Sequence, residues 1–234
     1  MCLTRSAEGH AEAKSYYVYG SRGSGKTSLL RSICWEDLAF NPSLQLQRKL
    51  TDFNHLGIYI RFPDHVSASM DIDRWGKEAT SEEQSQFDYH RFFSLAVELA
   101  CVEKAFEASH RLRLEGLVSY QPAQELEIVE TLSKEFQQLQ KIAGEELRTF
   151  LDCARACRKI IRLMNEACSR GLVDELLPQL PVREPNQLLS LAIEKLSAGI
   201  RLRSVTSDKR MAFKFCLDDC EVLSLIQKRS LNTL

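Results

Sequence analysis

Residues Gly20, Ser21, Arg22, Gly23, Ser24, Gly25, Lys26 and Thr27 run consecutively and follow the spacing G-x-x-x-x-G-K-[ST]. Those residue types at that spacing can grip a chain of phosphates. The glycines allow left-handed backbone turns and bring amide groups close to anionic oxygens. Lys26 adds a point charge suited to β- and γ-phosphates, and the Thr27 hydroxyl can ligate Mg²⁺. With Ser28, these residues form the candidate nucleotide-binding segment.

A second candidate lies far downstream. Met211 to Leu217 is a hydrophobic, β-rich run that leads into the adjacent acids Asp218 and Asp219. An acid at the end of such a strand can hold Mg²⁺ through water, and the residue after it can polarise an attacking water. Asp218 is therefore the candidate metal acid and Asp219 the candidate catalytic residue. A glutamate is more usual at the second position, and Glu221 is an alternative for that role. Taken alone, the two acids read as caps for a helix beginning at Cys220. Beside an intact phosphate loop, the metal reading is preferred.

The elements that must position these groups follow from periodicity. Ser15 to Tyr19 is a short aromatic and β-branched run, expected as the strand feeding the loop. Thr27 to Leu38 carries Leu29, Leu30, Ile33, Cys34 and Leu38 at helical spacing. Strand, glycine-rich loop and a helix whose N-terminus faces the phosphates is the arrangement the motif requires. Asn41-Pro42-Ser43 breaks the pattern, and Ser43 can cap a second helix to about Asp52. Leu56 to Phe62 alternates as a second strand, ended by Pro63-Asp64. Arg61 and Asp64 then fall at the nucleotide end of the sheet, placed to contact nucleotide, water or a neighbour, or to pair with each other.

From about Ser81 the chain reads as helices with apolar stripes: Phe87 to His110, Ala123 to Ile142, Glu145 to Ser169 with Gly171 as a stop, and Pro185 to Ala198 closed by Gly199. The expected fold class is α/β. It has an incomplete, parallel-sheet P-loop core (15–80 and 206–234), a large, mostly helical insertion (81–205), and a flexible lead-in (1–14).

Composition narrows the class. Hydrophobic residues make up 44% and charged residues 27% of the 234 positions, as in a globular protein that buries a core. A formal net charge of −1 gives no global attraction to nucleic acid, so any such contact must rest on a local patch. Eight cysteines without an apolar leader point to free thiols in a reducing, cytoplasmic setting. No apolar stretch is long enough to suggest a membrane span. Cys153 and Cys157, and Cys216 and Cys220, lack zinc-site spacing and read as buried thiols. Trp35 and Trp75 read as packing residues.

Residues 19 to 31, Tyr-Gly-Ser-Arg-Gly-Ser-Gly-Lys-Thr-Ser-Leu-Leu-Arg, and residues 215 to 224, Phe-Cys-Leu-Asp-Asp-Cys-Glu-Val-Leu-Ser, carry a family resemblance. The chain resembles a P-loop ATPase of the AAA+ superfamily, nearest its origin-recognition-like and signal-transduction branches. The resemblance is confined to the two ends and the Leu56 strand. It implies a sheet with the nucleotide at the carboxyl ends of its strands, and an acidic strand parallel to the loop strand and one strand removed from it. It also implies Mg²⁺-dependent ATP hydrolysis, usually in an oligomer whose neighbour supplies an arginine. Two departures stand out. The two motifs lie about 190 residues apart, which a plain core does not need. No later sensor strand, arginine finger or lid domain is identifiable, so the chain is expected to be the N-terminal portion of a longer protein, or to complete its sheet with a partner. Turnover by this chain alone is expected to be slow or absent.

Two other readings compete. In an ABC-type ATPase of the SMC or RecF kind a long helical region also separates the motifs, and Leu196-Ser197-Ala198-Gly199 is similar to that family's signature; a helix end with a glycine cap is preferred. The chain could instead be a non-hydrolysing, nucleotide-controlled interaction module whose helices bind a protein or nucleic acid. Arg155, Arg158, Lys159 and Arg162 share a helical face, and Arg201, Arg203, Lys209 and Arg210 form a second basic cluster. Both could touch phosphates, but a solvated, acid-paired face is preferred.

Overall fold

The computed structural model describes residues 2–5, 15, 16, 18, 21, 23–42, 55–62, 64–66, 82–144, 146–180, 186–203, 209–220, 223, 227, 228 and 231. In chain order these form β1 (Cys2–Arg5), β2 (Ser15–Tyr16), α1 (Lys26–Arg31), α2 (Trp35–Phe40), β3 (His55–Arg61) and α3 (Glu82–Leu114). They continue with β4 (Val118–Ser119), α4 (Pro122–Glu135), α5 (Gln137–Ala143), α6 (Phe150–Arg170) and α7 (Val173–Leu176). The last elements are α8 (Gln187–Gly199), β5 (Arg201–Leu202), β6 (Lys209–Arg210) and β7 (Ala212–Asp218). The helix expected at Ser43 to Asp52 and the one after Cys220 lie outside the described residues, as does Trp75.

The sheet that carries the site has the order β2-β1-β7-β3. β3 and β7 are parallel, with Ile58 beside Phe215 and Arg61 beside Asp218. β1 is antiparallel to β7 and to β2. Two successive reversals leave β2 parallel to β7 with one strand between them, the relation expected of the loop and acidic strands. The sheet is nevertheless mixed rather than parallel. Its intervening strand comes from Cys2–Arg5, a segment whose polar, small-residue setting suggests a lead-in.

Strand alternation gives the β3–β7 pair two different faces. Leu56, Ile58 and Ile60, with Phe213, Phe215 and Leu217, are buried in the main core with α2 and α3. Tyr59 and Cys216 lie on the other face, packed with Leu30, Cys34, Val18 and Ile33. Gly57 makes this second packing possible. A Cβ there would sit 2.0 Å from the carbonyl oxygen of Ile33, and Cys34 forms a parallel bridge to Gly57. That bridge also explains why the helix expected from Thr27 to Leu38 is two helices. The backbone leaves α1 to lie along β3, and α2 starts afresh at Trp35. Trp35 is 2% exposed and stands edge-on to Phe40, a packing residue as expected.

The helical part is organised around α3, which packs against α6, α8 and β3. Its residues from Tyr89 to Leu112 are buried on nearly every side rather than along one stripe, as for a central helix. α6 begins with a reciprocal cap between Thr149 and Asp152 and ends at Gly171 (φ 70°), the stop expected from sequence. The segment expected as one helix from Ala123 to Ile142 breaks at the buried Phe136 (φ −124°, ψ 42°) into α4 and α5. Gly199 is not a left-handed cap but the last residue of α8. Its missing side chain admits Ile128 Cδ1, 2.8 Å from where a Cβ would stand. The interval also holds strands: β4 and β5, joined by β6 just beyond it, form a small antiparallel sheet too short to register as a two-residue period. No helix among the described residues is long and apolar enough to cross a membrane.

Candidate nucleotide-binding site

The described part of the loop has the backbone that phosphate binding needs. Gly23 (φ 83°) and Gly25 (φ 82°) are left-handed, and no atom lies within 4 Å of where their Cβ atoms would be. A side chain would strain both positions and fill the space that a phosphate would enter. The Ser24 amide donates to the Ser21 carbonyl at 3.2 Å, and Gly25 immediately precedes α1. Lys26 Nζ also donates to the Ser21 carbonyl, at 3.1 Å, folding the ammonium back over its own loop. Ser21, Ser24, Thr27 and Ser28 are exposed. Gly20 and Arg22 lie outside the described residues.

The acidic strand meets this loop directly. Thr27 Oγ1 donates to Asp218 Oδ2 at 2.7 Å. The same oxygen accepts from the Tyr59 hydroxyl at 2.6 Å. Asp218 is only 6% exposed, and burial by itself would raise its pKa. The two hydroxyl bonds, together with the Asp219 amide, outweigh that effect and hold the carboxyl below its usual range. Tyr59 is pushed the other way, by burial first and then by its bond to Asp218, and remains a hydroxyl donor.

Asp219 faces different chemistry. Its backbone is left-handed (φ 56°), a conformation Asp tolerates better than most residues. Its Oδ2 accepts from Arg61 Nε at 2.6 Å, while Arg61 Nη1 contacts Asp64 Oδ2 at 3.2 Å. Arg61 thus forms the ion pair with Asp64 that its spacing suggests, and it also takes hold of the candidate catalytic acid. Glu221 lies outside the described residues.

The structure therefore brings Lys26, Thr27 and Asp218 together and turns Asp219 onto Arg61. Sequence reading passed over Tyr59, although strand alternation puts it on the same face of the sheet as Arg61. A hydroxyl there, two residues before the strand end, was the signal. The donor set suits Mg²⁺: a hydroxyl and a carboxylate already in contact, next to an open cradle of left-handed glycines. No cluster of three or more His, Cys, Asp or Glu side chains among the described residues could hold a metal, so the candidate Mg²⁺ site rests on Thr27 and Asp218 alone. Of the seven cysteines from Cys34 to Cys220, six are buried and Cys220 is partly exposed. Burial pushes the Cys153 thiol up to about 12.

The basic row on α6 is bound within the molecule. Arg158 pairs with Glu103 and Glu107, Lys159 donates to the Ala143 carbonyl, and Arg155 and Arg162 lie near Asp152 and Glu166. In the second cluster, Arg201 donates to the Ser197, Ala198 and Ile200 carbonyls. Leu196 and Ser197 are buried in the helical core, with 0% and 1% exposure, and present no phosphate-contacting signature.

The family comparison agrees with this geometry. The ORC-CDC6-like family model matches residues 5–234. The match extends through the helical middle, well beyond the two ends that carry the sequence resemblance. Comparison with curated proteins and with solved structures finds no match. The family match covers nearly the whole chain, and the chain belongs to the ORC-CDC6-like family of AAA+ ATPases.

Proposed function

We propose that the chain binds ATP together with Mg²⁺ at Gly20–Ser28 and Asp218, and that its own state is a holding state rather than a turning-over one. One observation carries the reading. Thr27 and Asp218, 191 residues apart in sequence, share a 2.7 Å hydrogen bond at the mouth of the loop. In this reading Lys26 leaves the Ser21 carbonyl to meet the β- and γ-phosphates, and loop amides take the remaining oxygens. Bound Mg²⁺ would supply charge neutralisation at those phosphates. Thr27 and Asp218 would hold it, with Asp218 acting through water. Asp219 is the candidate for polarising the attacking water, with Glu221 as the alternative. In the structure Arg61 holds one oxygen of the Asp219 carboxylate, which this role would require it to release.

The helical segment 81–205 is assigned as an insertion that offers a surface to a partner. Arg155, Arg158 and Arg162 on α6 are already paired, which favours a protein partner over nucleic acid. A neighbouring subunit would complete the catalytic arrangement. A nucleotide-controlled switch is the second reading, favoured by the Arg61–Asp219 pair.

Calorimetric titration tests the main reading. ATP should bind in the presence of Mg²⁺, and Lys26→Ala should abolish that binding without unfolding the chain. Unchanged affinity in the variant would end the proposal.

A further inference from the structure

Tyr59 stands out as a side chain that the phosphate loop and acidic strand do not themselves require. Its in-register partner on β7 is Cys216, so Asp218 lies two residues further along the same face of the neighbouring strand. The ring is held between that strand and α1. It packs with the cluster of Leu30, Cys34 and Cys216, and the Arg31 guanidinium lies 5.9 Å from its centroid. From that seat the hydroxyl reaches Asp218 Oδ2 at 2.6 Å, the oxygen that also takes the Thr27 hydroxyl at 2.7 Å.

We infer that Tyr59 is a positioning residue for the metal acid: through its hydroxyl it fixes the Asp218 carboxylate against Thr27, so that the two form one preset Mg²⁺ site. The inference rests on the Mg-ATP reading above. A carboxylate on a strand end has two free torsions, and the bonds from Thr27 and from the Asp219 amide both come from short-range or loop neighbours. A further donor from an adjacent strand removes that freedom. It also ties the carboxylate to β3, the strand that Gly57 locks onto the connection between α1 and α2. Partners of this kind behind a metal-holding residue typically alter metal affinity by about 10- to 100-fold. Tyr59 itself touches neither nucleotide nor metal in this scheme.

The test separates metal from nucleotide. ATP affinity is measured by calorimetry in EDTA and again in Mg²⁺, for the wild-type chain and for Tyr59→Phe, which keeps the ring and its packing. We expect the EDTA affinity to be unchanged and the enhancement by Mg²⁺ to fall about tenfold. An equal loss in both conditions would mean that Tyr59 only packs, and an unchanged enhancement would mean that its hydroxyl does nothing for the metal; either overturns the inference. Asp218→Asn adds a check: combined with Tyr59→Phe it should lower the Mg²⁺ enhancement no further than it does alone, whereas additive losses would refute action through Asp218. A wild-type chain that binds no ATP in either condition would overturn the function itself. Binding of ATP with no Mg²⁺ enhancement would overturn its metal half, and Tyr59 with it.

Discussion

In the helical part of the molecule, buried carboxylates end on backbone amides and guanidinium groups; at the sheet end they end on hydroxyls and on one exposed arginine. Glu98 on α3 accepts from the Asn186 amide at 2.6 Å and the Leu189 amide at 3.1 Å, fixing the start of α8. Glu125 on α4 accepts from the Phe150 amide at 2.8 Å, the first residue of α6, and from Arg113 at 3.2 Å. Glu103 on α3 takes Arg158 from α6. Glu98 and Glu125 meet buried helix-start amides that water or a ligand cannot easily replace, and those N-termini favour the negative charge. Asp218 and Asp219 are held instead by groups that can be re-partnered. A hydroxyl can keep its bond to a carboxylate while its lone pair meets a cation, and an exposed ion pair opens at little cost. The same functional group is a fastener in one region and an exchangeable part in the other.

The comparison breaks most visibly at Glu98. Glu98→Ala leaves the Leu189 amide, and that of Asn186, short of their carboxylate partner at a buried helix start. The expected loss is about 3 kcal/mol of unfolding free energy, read by urea denaturation. Mg-ATP affinity of the remaining folded chain should be unaltered. A loss of affinity as large as the loss of stability would show that the two regions are not separate in this sense.

Much of the contrast is visible in the sequence on the sheet side and little of it on the helical side. The loop, the acidic strand and the Leu56 strand announce themselves because each is a local pattern: a glycine spacing, an apolar run ending in acids, an alternation. The helices are legible as stripes, and the end of α6 at Gly171 follows from a single residue type. Its start was less so: the stripe suggests a beginning at Glu145, whereas α6 begins at Phe150 after a cap between Thr149 and Asp152. What pairs across the fold was not legible. Nothing local marks Glu98 for the start of α8, Tyr59 for Asp218, or Arg61 for Asp219 rather than Asp64 alone. The break at Cys34 depends on a glycine on another strand, and β1 depends on a gap in a sheet. Two-residue strands such as β4 and β5 have no period to read.

The strand that carries the site is sensitive to acid. His55 opens β3 and is 6% exposed; burial first, and then the charge of Lys214 on β7, lower its pKa from 6.5 to about 4. The folded chain therefore keeps His55 neutral over a range in which the unfolded chain protonates it. Between about 6.5 and about 4 the unfolded state binds more protons, so stability falls as pH falls through that window. The contribution is on the order of 1–2 kcal/mol after allowance for partial solvation. Urea denaturation at several pH values should show this slope, and His55→Gln should flatten it. An unchanged slope would place the acid sensitivity on other groups.

The smallest expected effect is also the most direct probe of the exchangeable region. Arg61 is 48% exposed at its side chain and binds Asp219 and Asp64 at once, so its removal costs little structure. If that pair is what withholds Asp219 from water, Arg61→Ala should raise phosphate release per site several-fold over the slow wild-type rate, with ATP affinity and urea midpoint unchanged. Adding Asp219→Asn should cancel the gain, because the freed carboxylate is then no longer a base. A gain that survives Asp219→Asn would move the catalytic role to another group, with Glu221 next to be tested. A fall in turnover on removing Arg61 would mean that the guanidinium serves the bound phosphates more than it restrains the acid. The contrast would then be sharper still: Arg61 would serve the ligand, while Glu98 and Glu125 fasten the starts of α8 and α6.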